Sequence, residues 1–300
     1  MVQGGSYVIY RPPFEAQSYL LEVTKGCSHN QCSFCTMYRD EPFRMLPIDQ
    51  IEEELKDAGT YMPFVTRVFL ENGDAFCLNA DRLAQIAELV HRYLPNTRTI
   101  AMYASVKNIQ GKSDEDLKRL HALGIDELNI GVESGLDDAL THMNKGYTAR
   151  EAVYELNRLG QAGIRYGANI IFGMAGEGNC REHAEATARL LNETKPYLIF
   201  TGTLHADPGC PLYNELKTGA FRECSFGEYL DEEEELLKLL DLEECYYFGL
   251  HPSNVVQMHG HLNQDKEEML QEVRRRREEL TPYLNMHPVR RGEGAIVGGK

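Results

Sequence analysis

Three cysteines, Cys27, Cys32 and Cys35, lie within nine residues of one another in a 300-residue chain that contains eight cysteines in all. Thiolates this close together along a chain are typical of a metal site. A structural zinc ion is usually held by two separated pairs of ligands, whereas this stretch offers one triplet, with His29 as a cramped fourth ligand. Three cysteines instead suit a [4Fe–4S] cluster in which one iron stays open to a small molecule. The spacing therefore favours an iron–sulfur cluster, with zinc as the alternative.

The remaining cysteines and several histidines carry weaker signals. The isolated cysteines, which usually behave as small buried apolar side chains, are Cys77, Cys180, Cys210, Cys224 and Cys245. Cys210, Cys224 and Cys245 are too widely spaced to predict a second cluster, although folding could bring them together. The histidines that are candidates for substrate contact or proton transfer are His205, His251, His259 and His261. Solvent-exposed or core histidines without a functional role are the simpler interpretation.

Strand-type and helix-type segments alternate along the first two thirds of the chain. The predicted strands are residues 19–23, 66–70, 99–104, 127–132, 166–172 and 197–203. The predicted helices between them are residues 47–58, 81–94, a helix capped by Ser113, 148–159 (ended by Gly160) and 181–191. Six such steps predict parallel strands with right-handed helical crossovers. Since a full eight-stranded barrel needs about 250 residues, the expected fold is α/β, a partial (β/α)6 barrel of the TIM type.

The alternation of strand-type and helix-type segments stops after residue 203, and this change sets the predicted domain boundaries. Residues 1–18 are a lead-in, residues 19–215 form the partial barrel, and residues 216–300 form a mainly helical C-terminal extension with helices at 227–242 and 262–284. The cysteine loop directly follows the first strand. In parallel α/β barrels the carboxyl ends of the strands carry the chemistry, so the loop is predicted to lie on the active face.

Charge and hydropathy limit the partners. Lys and Arg total 31 and Asp and Glu total 46, a formal net charge of −15, which disfavours broad contact with the phosphates of nucleic acid. The sequence has no run of 18 apolar residues and no basic, apolar leader at its N-terminus. The expectation is a cytoplasmic protein without a membrane span, in which cysteines are thiols or metal ligands.

The loop Cys27-Ser-His-Asn-Gln-Cys32-Ser-Phe-Cys35 resembles the signature of the radical S-adenosylmethionine (radical SAM) superfamily. That signature is usually C-x3-C-x2-C after the first strand, with an aromatic residue before the last cysteine, a place that Phe34 takes here. The spacing in this chain is C-x4-C-x2-C, one residue longer between the first two cysteines. The resemblance implies that the three cysteines ligate a [4Fe–4S] cluster whose fourth iron binds S-adenosylmethionine (SAM).

The segment Glu71-Asn72-Gly73-Asp74, after the second predicted strand, resembles a second part of the family pattern. Relatives carry there a glycine-containing turn whose backbone contacts the amino group of the methionyl moiety. The resemblance therefore implies that Asn72, Gly73 and Asp74 contact SAM. Glycine lets a backbone approach closely, while an ordinary Asn-Gly turn is the alternative.

Later segments resemble the oxygen-independent coproporphyrinogen oxidases and the Elongator and methylthiotransferase branches. Residues 130–135 end the fourth predicted strand, where those branches contact the adenosyl ribose, so the resemblance implies SAM contacts for Glu133 and Ser134. It also implies that Lys145 faces the methionyl carboxylate, although a solvent lysine is the alternative. Asn169, on the fifth predicted strand, matches the position of a second ribose contact, where an acid is usual.

The stretch 208–213 resembles the Pro-Gly-Thr-Pro-Leu turn that closes the core in the same branches, so the resemblance covers about residues 19 to 215. It implies an enzyme that cleaves SAM reductively and uses a 5′-deoxyadenosyl radical to take a hydrogen atom from a small-molecule substrate. A one-electron donor such as flavodoxin or ferredoxin is the expected partner, and nucleic acid is not. The alternatives are an RNA-modifying radical SAM enzyme and, in another class, a non-catalytic zinc or iron–sulfur protein.

Overall fold

The computed structural model describes residues 11–288 and has an α/β fold. Within these residues, eight strands belong to a mostly parallel sheet that does not close into a barrel, and two short strands form a separate ladder. No helix of the described part is both long enough and apolar enough to cross a membrane. The predicted α/β class and the open parallel arrangement are confirmed.

The element bounds follow the predicted alternation. The strands are β1 (Tyr19–Glu22), β2 (Thr24–Lys25), β3 (Arg44–Met45), β4 (Arg67–Glu71), β5 (Thr99–Ala104), β6 (Ile125–Glu133), β7 (Arg165–Phe172), β8 (Leu198–Thr203), β9 (Tyr246–Phe248) and β10 (His259–His261). The helices are α1 (Ile48–Tyr61), α2 (Ala80–Tyr93), α3 (Val106–Gln110), α4 (Asp114–Ala122), α5 (Asp137–His142), α6 (Ala149–Ala162), α7 (Cys180–Thr194), α8 (Pro211–Thr218), α9 (Phe226–Leu239) and α10 (Leu262–Glu279).

The chain divides into two compact units. The first unit comprises Met1–Asn30, Tyr38–Ile130 and Arg158–Arg165, and the second comprises Gln31–Met37, Gly131–Asn157 and Tyr166–Lys300. Residues 1–10 of the predicted lead-in and the last twelve residues of the predicted extension lie outside the described residues.

In the first unit, β1, β4, β5 and the start of β6 are parallel neighbours in that order. Their apolar side chains and those of α2 form the core, including Leu21, Phe69, Leu70, Ile100, Met102 and Ile86. Because β1 and β4 are parallel and adjacent, the segments that follow them leave the sheet at the same edge. The first cysteine and the Asn72-Gly73-Asp74 turn both lie on those segments.

In the second unit, β7, β8 and β9 are parallel neighbours, and β10 pairs with β9 in the antiparallel sense. The region predicted to be mainly helical therefore also contributes two short strands. Alternating polar and apolar patterns are hard to detect over three residues, which explains why periodicity missed them. An apolar cluster beside these strands contains Ala139, Met143, Met174, Leu204, Leu212, Leu216 and Phe221.

Helix ends show where local signals were sufficient. Ser113 and Asp116 form the predicted capping box, with Asp116 N–H donating to Ser113 Oγ over 3.1 Å. The prediction that Gly160 ends its helix was wrong, since α6 continues to Ala162. Gly160 is exposed and helical, at a cost of about 1 kcal/mol, whereas Gly163 has a φ of +87° and follows the actual end. The last helix, predicted to reach residue 284, ends at Glu279.

Candidate active site

In the first unit, Cys27 rests directly on Gly73. The Gly73 N–H donates to the carbonyl oxygen of Gly26 over 3.2 Å. A Cβ atom added to Gly73 would lie 2.7 Å from Cys27 Cβ and 2.8 Å from Cys27 Cα, which is closer than real Cβ atoms come. Glycine is therefore required at position 73 so that the turn after β4 can lie against the cysteine loop.

Asp74 holds the residue that follows Cys27. Its carboxylate accepts from the backbone N–H of Ser28 over 2.8 Å and from the Ser28 hydroxyl over 2.5 Å. It also accepts from Asn108 Nδ2 over 3.2 Å, and the side chain is buried. Charge-assisted hydrogen bonds of this kind are about twice as strong as neutral ones. Asp74 therefore fixes the start of the cysteine loop.

Two neighbours of Asp74 have shifted pKa values. Burial and the Asp74 carboxylate raise the pKa of Cys77 to about 12, against the lowering effect of a hydrogen bond with Ser28. Burial lowers the pKa of Lys112 to about 8, although Cys77 and the Asp116 and Asp74 carboxylates raise it. The Lys112 ammonium donates to the carbonyl oxygens of Phe76 and Asn108. Cys77 is thus a protonated thiol rather than a reactive thiolate.

Asn72 braces the end of β1. It has a left-handed backbone, with a φ of +76°. Its Nδ2 donates to the carbonyl oxygen of Thr24 over 2.8 Å and to the Glu22 carboxylate over 3.2 Å. The side chain of Asn72 is therefore bonded to the strands in front of the cysteine loop.

The other two cysteines lie in the second unit, on a loop anchored through Ser33. The Ser33 N–H donates to the carbonyl oxygen of Met143 over 3.1 Å, and its hydroxyl donates to that of His142 over 3.0 Å. The Ser33 carbonyl oxygen accepts from the Leu212 N–H over 2.9 Å. Ser33 lies between Cys32 and Cys35, so these three bonds fix the position of both thiols.

Phe34, the aromatic residue before the last cysteine, packs on the apolar cluster of the second unit. It is therefore a packing residue of the loop. Burial raises the pKa of Cys35, as do the Cys32 thiol and the Glu133 carboxylate, while a backbone hydrogen bond from Met37 and the Lys145 ammonium lower it. The balance of these effects leaves the pKa of Cys35 above its ordinary value.

Glu133 and Lys145 form a buried ion pair at the end of β6. Lys145 Nζ is 3.2 Å from Glu133 Oε1, and both side chains are about nine-tenths buried. Burial lowers the pKa of Lys145, but interactions with Tyr147, Glu133 and Cys32 raise it by more, so the ammonium is charged. A Cβ atom on Gly131 would lie 2.5 Å from Glu133 Oε1, so glycine makes room for the carboxylate. The pair lies beside Cys32.

The backbone around Glu133 is held by a residue that the sequence analysis missed. Glu133 has a φ of +65°, an uncommon conformation for a residue with a side chain. The Tyr147 hydroxyl lies 2.9 Å from the carbonyl oxygen of Gly131 and 3.0 Å from that of Val132. Tyr147 follows Lys145 by two residues, and a tyrosine in a predicted loop gave no signal by itself.

Ser134 and Asn169 have different roles. Ser134 is fully buried, and its hydroxyl oxygen accepts from the Leu136 N–H over 2.9 Å, so it caps the turn after β6. Asn169 lies on β7, partly buried, and its amide makes no hydrogen bond to any described residue. The Asn169 amide is therefore available to hydrogen-bond a ligand.

Asn129 is a second residue that the sequence analysis missed, and it is a candidate for contact with a ligand. It lies on β6 in the first unit and is 1% exposed, and neither its Nδ2 nor its Oδ1 has a hydrogen-bond partner among the described residues. Buried polar atoms are nearly always satisfied. In the sequence, the only sign of such a role is one asparagine within an apolar strand, and that sign is weak.

The histidines considered as proton donors are surface residues with local partners. His205 is bonded to Asp207 over 2.9 Å, His251 to Ser253 over 2.6 Å, and His259 to the Tyr246 hydroxyl. All are exposed, as is His261, which stacks edge-on with Tyr246. None of these contacts involves a residue described above as part of the site.

Known proteins share parts of this sequence and of this fold. The model of the family described as "Radical SAM superfamily" matches residues 21–191. The heme chaperone HemW of Bacillus subtilis (strain 168) is 23% identical over 201 residues, which cover 64% of this chain and 52% of HemW. The chain therefore spans about half the length of that curated relative.

Two solved structures have a similar fold. One is the radical S-adenosylmethionine methyltransferase TsrM from Kitasatospora setae, described with cobalamin and a [4Fe–4S] cluster bound, with a TM-score of 0.56 and 16% identity. That match covers 67% of this chain and 39% of TsrM. The other is methylornithine synthase (PylB), with a TM-score of 0.52 and 17% identity over 91% of this chain and 83% of PylB.

Proposed function

This chain belongs to the radical SAM superfamily, and from that premise we propose that it takes a hydrogen atom from a small-molecule substrate. The family match makes the chain an enzyme that uses a [4Fe–4S] cluster and SAM. The substrate class, the electron donor and the individual ligand contacts are parts of the proposal. Each is argued below from residues of this chain.

The donor set fits the cluster. Three thiols stand on one loop, and each end of that loop is fixed: Cys27 by Gly73 and Asp74, and Cys32 and Cys35 by Ser33. Each anchor acts within its own unit, and none of the three cysteines is in a disulfide, so all three thiols are available as cluster ligands. When bound, the cluster and SAM supply a one-electron cleavage that yields a 5′-deoxyadenosyl radical.

The buried Lys145–Glu133 pair is the observation that carries the proposal. Two charged side chains are kept out of water beside Cys32, an arrangement that adds little stability by itself. In the proposed function, Lys145 binds the carboxylate of the methionyl group, and Glu133 accepts hydrogen bonds from ribose hydroxyls. Asn169, whose amide is uncommitted, makes a further ribose contact.

The charge of the chain supports a small substrate. A net charge of −15 repels a polyanion such as RNA over distances of about 10 Å at 0.1 M salt. A small metabolite and a small one-electron donor such as flavodoxin or ferredoxin are compatible with that charge.

The first experiment measures SAM cleavage. The protein is reconstituted anaerobically with iron and sulfide, reduced with flavodoxin or dithionite, and assayed for 5′-deoxyadenosine. The expected result is reductant-dependent 5′-deoxyadenosine, lost together with the cluster in Cys32→Ala and retained in Cys245→Ser, a buried cysteine outside the loop. Lys145→Met should keep the cluster and raise the KM for SAM about tenfold or more, since a buried charge-assisted contact contributes about 1.5–3 kcal/mol. An unchanged KM contradicts the role of Lys145.

The second experiment tests the substrate class. An extract of cells grown in deuterated medium is divided into a low-mass metabolite fraction and an RNA fraction, and each is added to the reduced holoenzyme. Deuterium in 5′-deoxyadenosine with the metabolite fraction alone supports the proposal. Deuterium transfer from the RNA fraction alone would overturn it in favour of RNA modification.

A further inference from the structure

Two cysteines and a glutamate that the radical SAM site does not use lie together in the second unit. Cys180 Sγ and Cys224 Sγ are 2.8 Å apart. With a carboxylate oxygen of Glu232 they form a group whose ligand atoms all lie within 4.8 Å of one another. All three side chains are buried. Among the described residues, no other set of three His, Cys, Asp or Glu side chains meets that distance.

The three residues lie in, or directly before, two helices that pack together. Cys180 is the first residue of α7, and Cys224 comes just before Ser225, the N-cap of α9. Glu232 lies in the middle of α9. The sequence separates Cys180 from Cys224 by 44 residues, so no spacing motif reveals the pair. From the sequence, folding could have joined Cys224 to Cys210 and Cys245. The structure instead places Cys224 against Cys180.

Glu232 is held in one orientation by two donors. The Gly173 N–H donates to Glu232 Oε2 over 3.0 Å. His183 Nδ1 is 2.5 Å from Glu232 Oε1, and both side chains are 1% exposed. Ligands of metal ions are usually oriented by such a second partner, and the pairing of a carboxylate with an imidazole is common around them.

Within residues 11–288, two polar atoms beside this group have no hydrogen-bond partner. They are His183 Nε2 and the Tyr229 hydroxyl, both buried. A Cβ atom on Gly173 would lie 2.9 Å from the Tyr229 hydroxyl oxygen, so this hydroxyl is next to the glycine that donates to Glu232. An unsatisfied buried polar group costs about 1–3 kcal/mol. The two atoms together indicate that a polar ligand belongs at this place.

We propose that Cys180, Cys224 and Glu232 bind one divalent metal ion of the zinc class. Two thiolates and a carboxylate are zinc ligands, and the fourth tetrahedral position is taken by a water molecule that the Tyr229 hydroxyl hydrogen-bonds. Zinc–sulfur bonds of about 2.3 Å place two sulfurs about 3.8 Å apart, so binding opens the present contact by about 1 Å.

A disulfide between the two cysteines is the competing arrangement, and it explains less. It would account for the close sulfurs but not for the buried carboxylate, the imidazole bonded to it or the unsatisfied Tyr229 hydroxyl. The metal site accounts for the close sulfurs, for the buried carboxylate with its imidazole partner, and for the Tyr229 hydroxyl. It also links the turn at Gly173, which follows β7, to α9, and so stabilises the strand that carries Asn169.

The test is metal analysis of the reconstituted holoenzyme, prepared anaerobically from cells supplied with zinc. We expect about one zinc per chain in addition to about four irons. Cys180→Ser and Cys224→Ser should lose zinc and keep iron, and Cys245→Ser, the matched buried control, should keep both. X-ray absorption at the zinc edge should show two sulfur ligands at about 2.3 Å.

A measurement on the unaltered chain keeps the proposal falsifiable where a variant does not fold. Removing zinc with a chelator that leaves the iron in place should lower the melting temperature, and adding zinc should restore it. The proposal is overturned by a holoenzyme without bound zinc, by zinc that survives both serine substitutions, or by mass spectrometry that finds a Cys180–Cys224 disulfide in the anaerobic protein. These outcomes do not depend on SAM cleavage, so the proposed function is tested separately.

Discussion

At the scale of single residues, the turn after β4 has a structural task that its resemblance to a SAM-binding motif did not suggest. Gly73 gives room to Cys27, Asp74 holds Ser28, and Asn72 bonds the ends of β1 and β2. The side chains predicted to contact SAM at this turn are thus occupied by the protein.

Gly73→Ala tests this arrangement. The added methyl group would overlap Cys27 and Gly26, so we expect a loss of about 1–3 kcal/mol in the free energy of unfolding and poorer retention of the cluster. Urea unfolding and iron content measure the two effects. The control is Gly111→Ala, where the nearest atom to an added Cβ is 3.6 Å away. Equal iron content and stability in both variants would show that Gly73 is not needed for close approach.

Glu71 provides a pH-dependent test in the first unit. Burial raises its pKa to about 7, helped by the nearby Glu22 and Glu54 carboxylates, and Lys25 and Arg11 act against the shift. The folded state therefore binds this proton more tightly than the unfolded state, whose pKa is near 4.5. The contribution to stability is present at low pH and is lost as the pH rises from about 4.5 to about 7.

Glu71→Gln removes that loss. We expect the variant to gain stability relative to the wild type as the pH rises across this interval, with the difference levelling off above it. Urea unfolding of the cluster-free protein at several pH values measures the difference. Glu53→Gln, at an exposed position on α1, should show no such trend. A constant difference between Glu71→Gln and the wild type at all pH values would contradict the raised pKa.

At the scale of elements, the sequence predicted most of what depends on local patterns. The six long parallel strands and their helices were located to within a few residues, because hydrophobic periodicity and capping residues act over short distances. Gly160 misled the prediction, since an exposed helical glycine looks the same in sequence as a terminating one. Strands β9 and β10, with three residues each, were too short for periodicity to detect.

The partners within the site were less predictable than the ligands themselves. A spacing pattern identified the three loop cysteines, but Ser33 is anchored to residues more than 100 positions away. Cys180 and Cys224 meet across 44 positions for the same reason. Contacts between distant segments depend on how helices pack, and one sequence gives no measure of that.

Tyr147 connects two elements and can be tested at this scale. Its hydroxyl bonds the carbonyl oxygens of Gly131 and Val132, where β6 ends in the unusual backbone of Glu133. Tyr147→Phe should lower the free energy of unfolding by about 1–2 kcal/mol and raise the KM for SAM, because Glu133 loses its fixed position. Tyr61→Phe, which is 79% exposed, is the control. A KM equal to that of the control would limit Tyr147 to a packing role.

At the scale of the whole molecule, the C-terminal region forms one compact unit with the last strands of the sheet. Helix α9 and strand β9 lie in the same compact unit as β7 and β8. Strand β9 continues the parallel order, with Leu198 opposite Tyr246 and Phe200 opposite Phe248. The predicted boundary at residue 215 remains a prediction, and it separates residues that bury one another within this unit.

Cutting the chain after residue 215 tests whether that boundary marks an independent domain. The shorter chain loses fully buried side chains such as Tyr229, Leu237 and Tyr247, each contributing about 1.5–3 kcal/mol through burial. We expect it to aggregate or to melt without a cooperative transition in circular dichroism. A chain that ends at residue 288 keeps every described residue and is the control. A cooperative transition in the 1–215 chain at the temperature of the control would instead show that the extension is separable. The zinc group needs Cys224 and Glu232, so it would then be an accessory to a core that is stable without it.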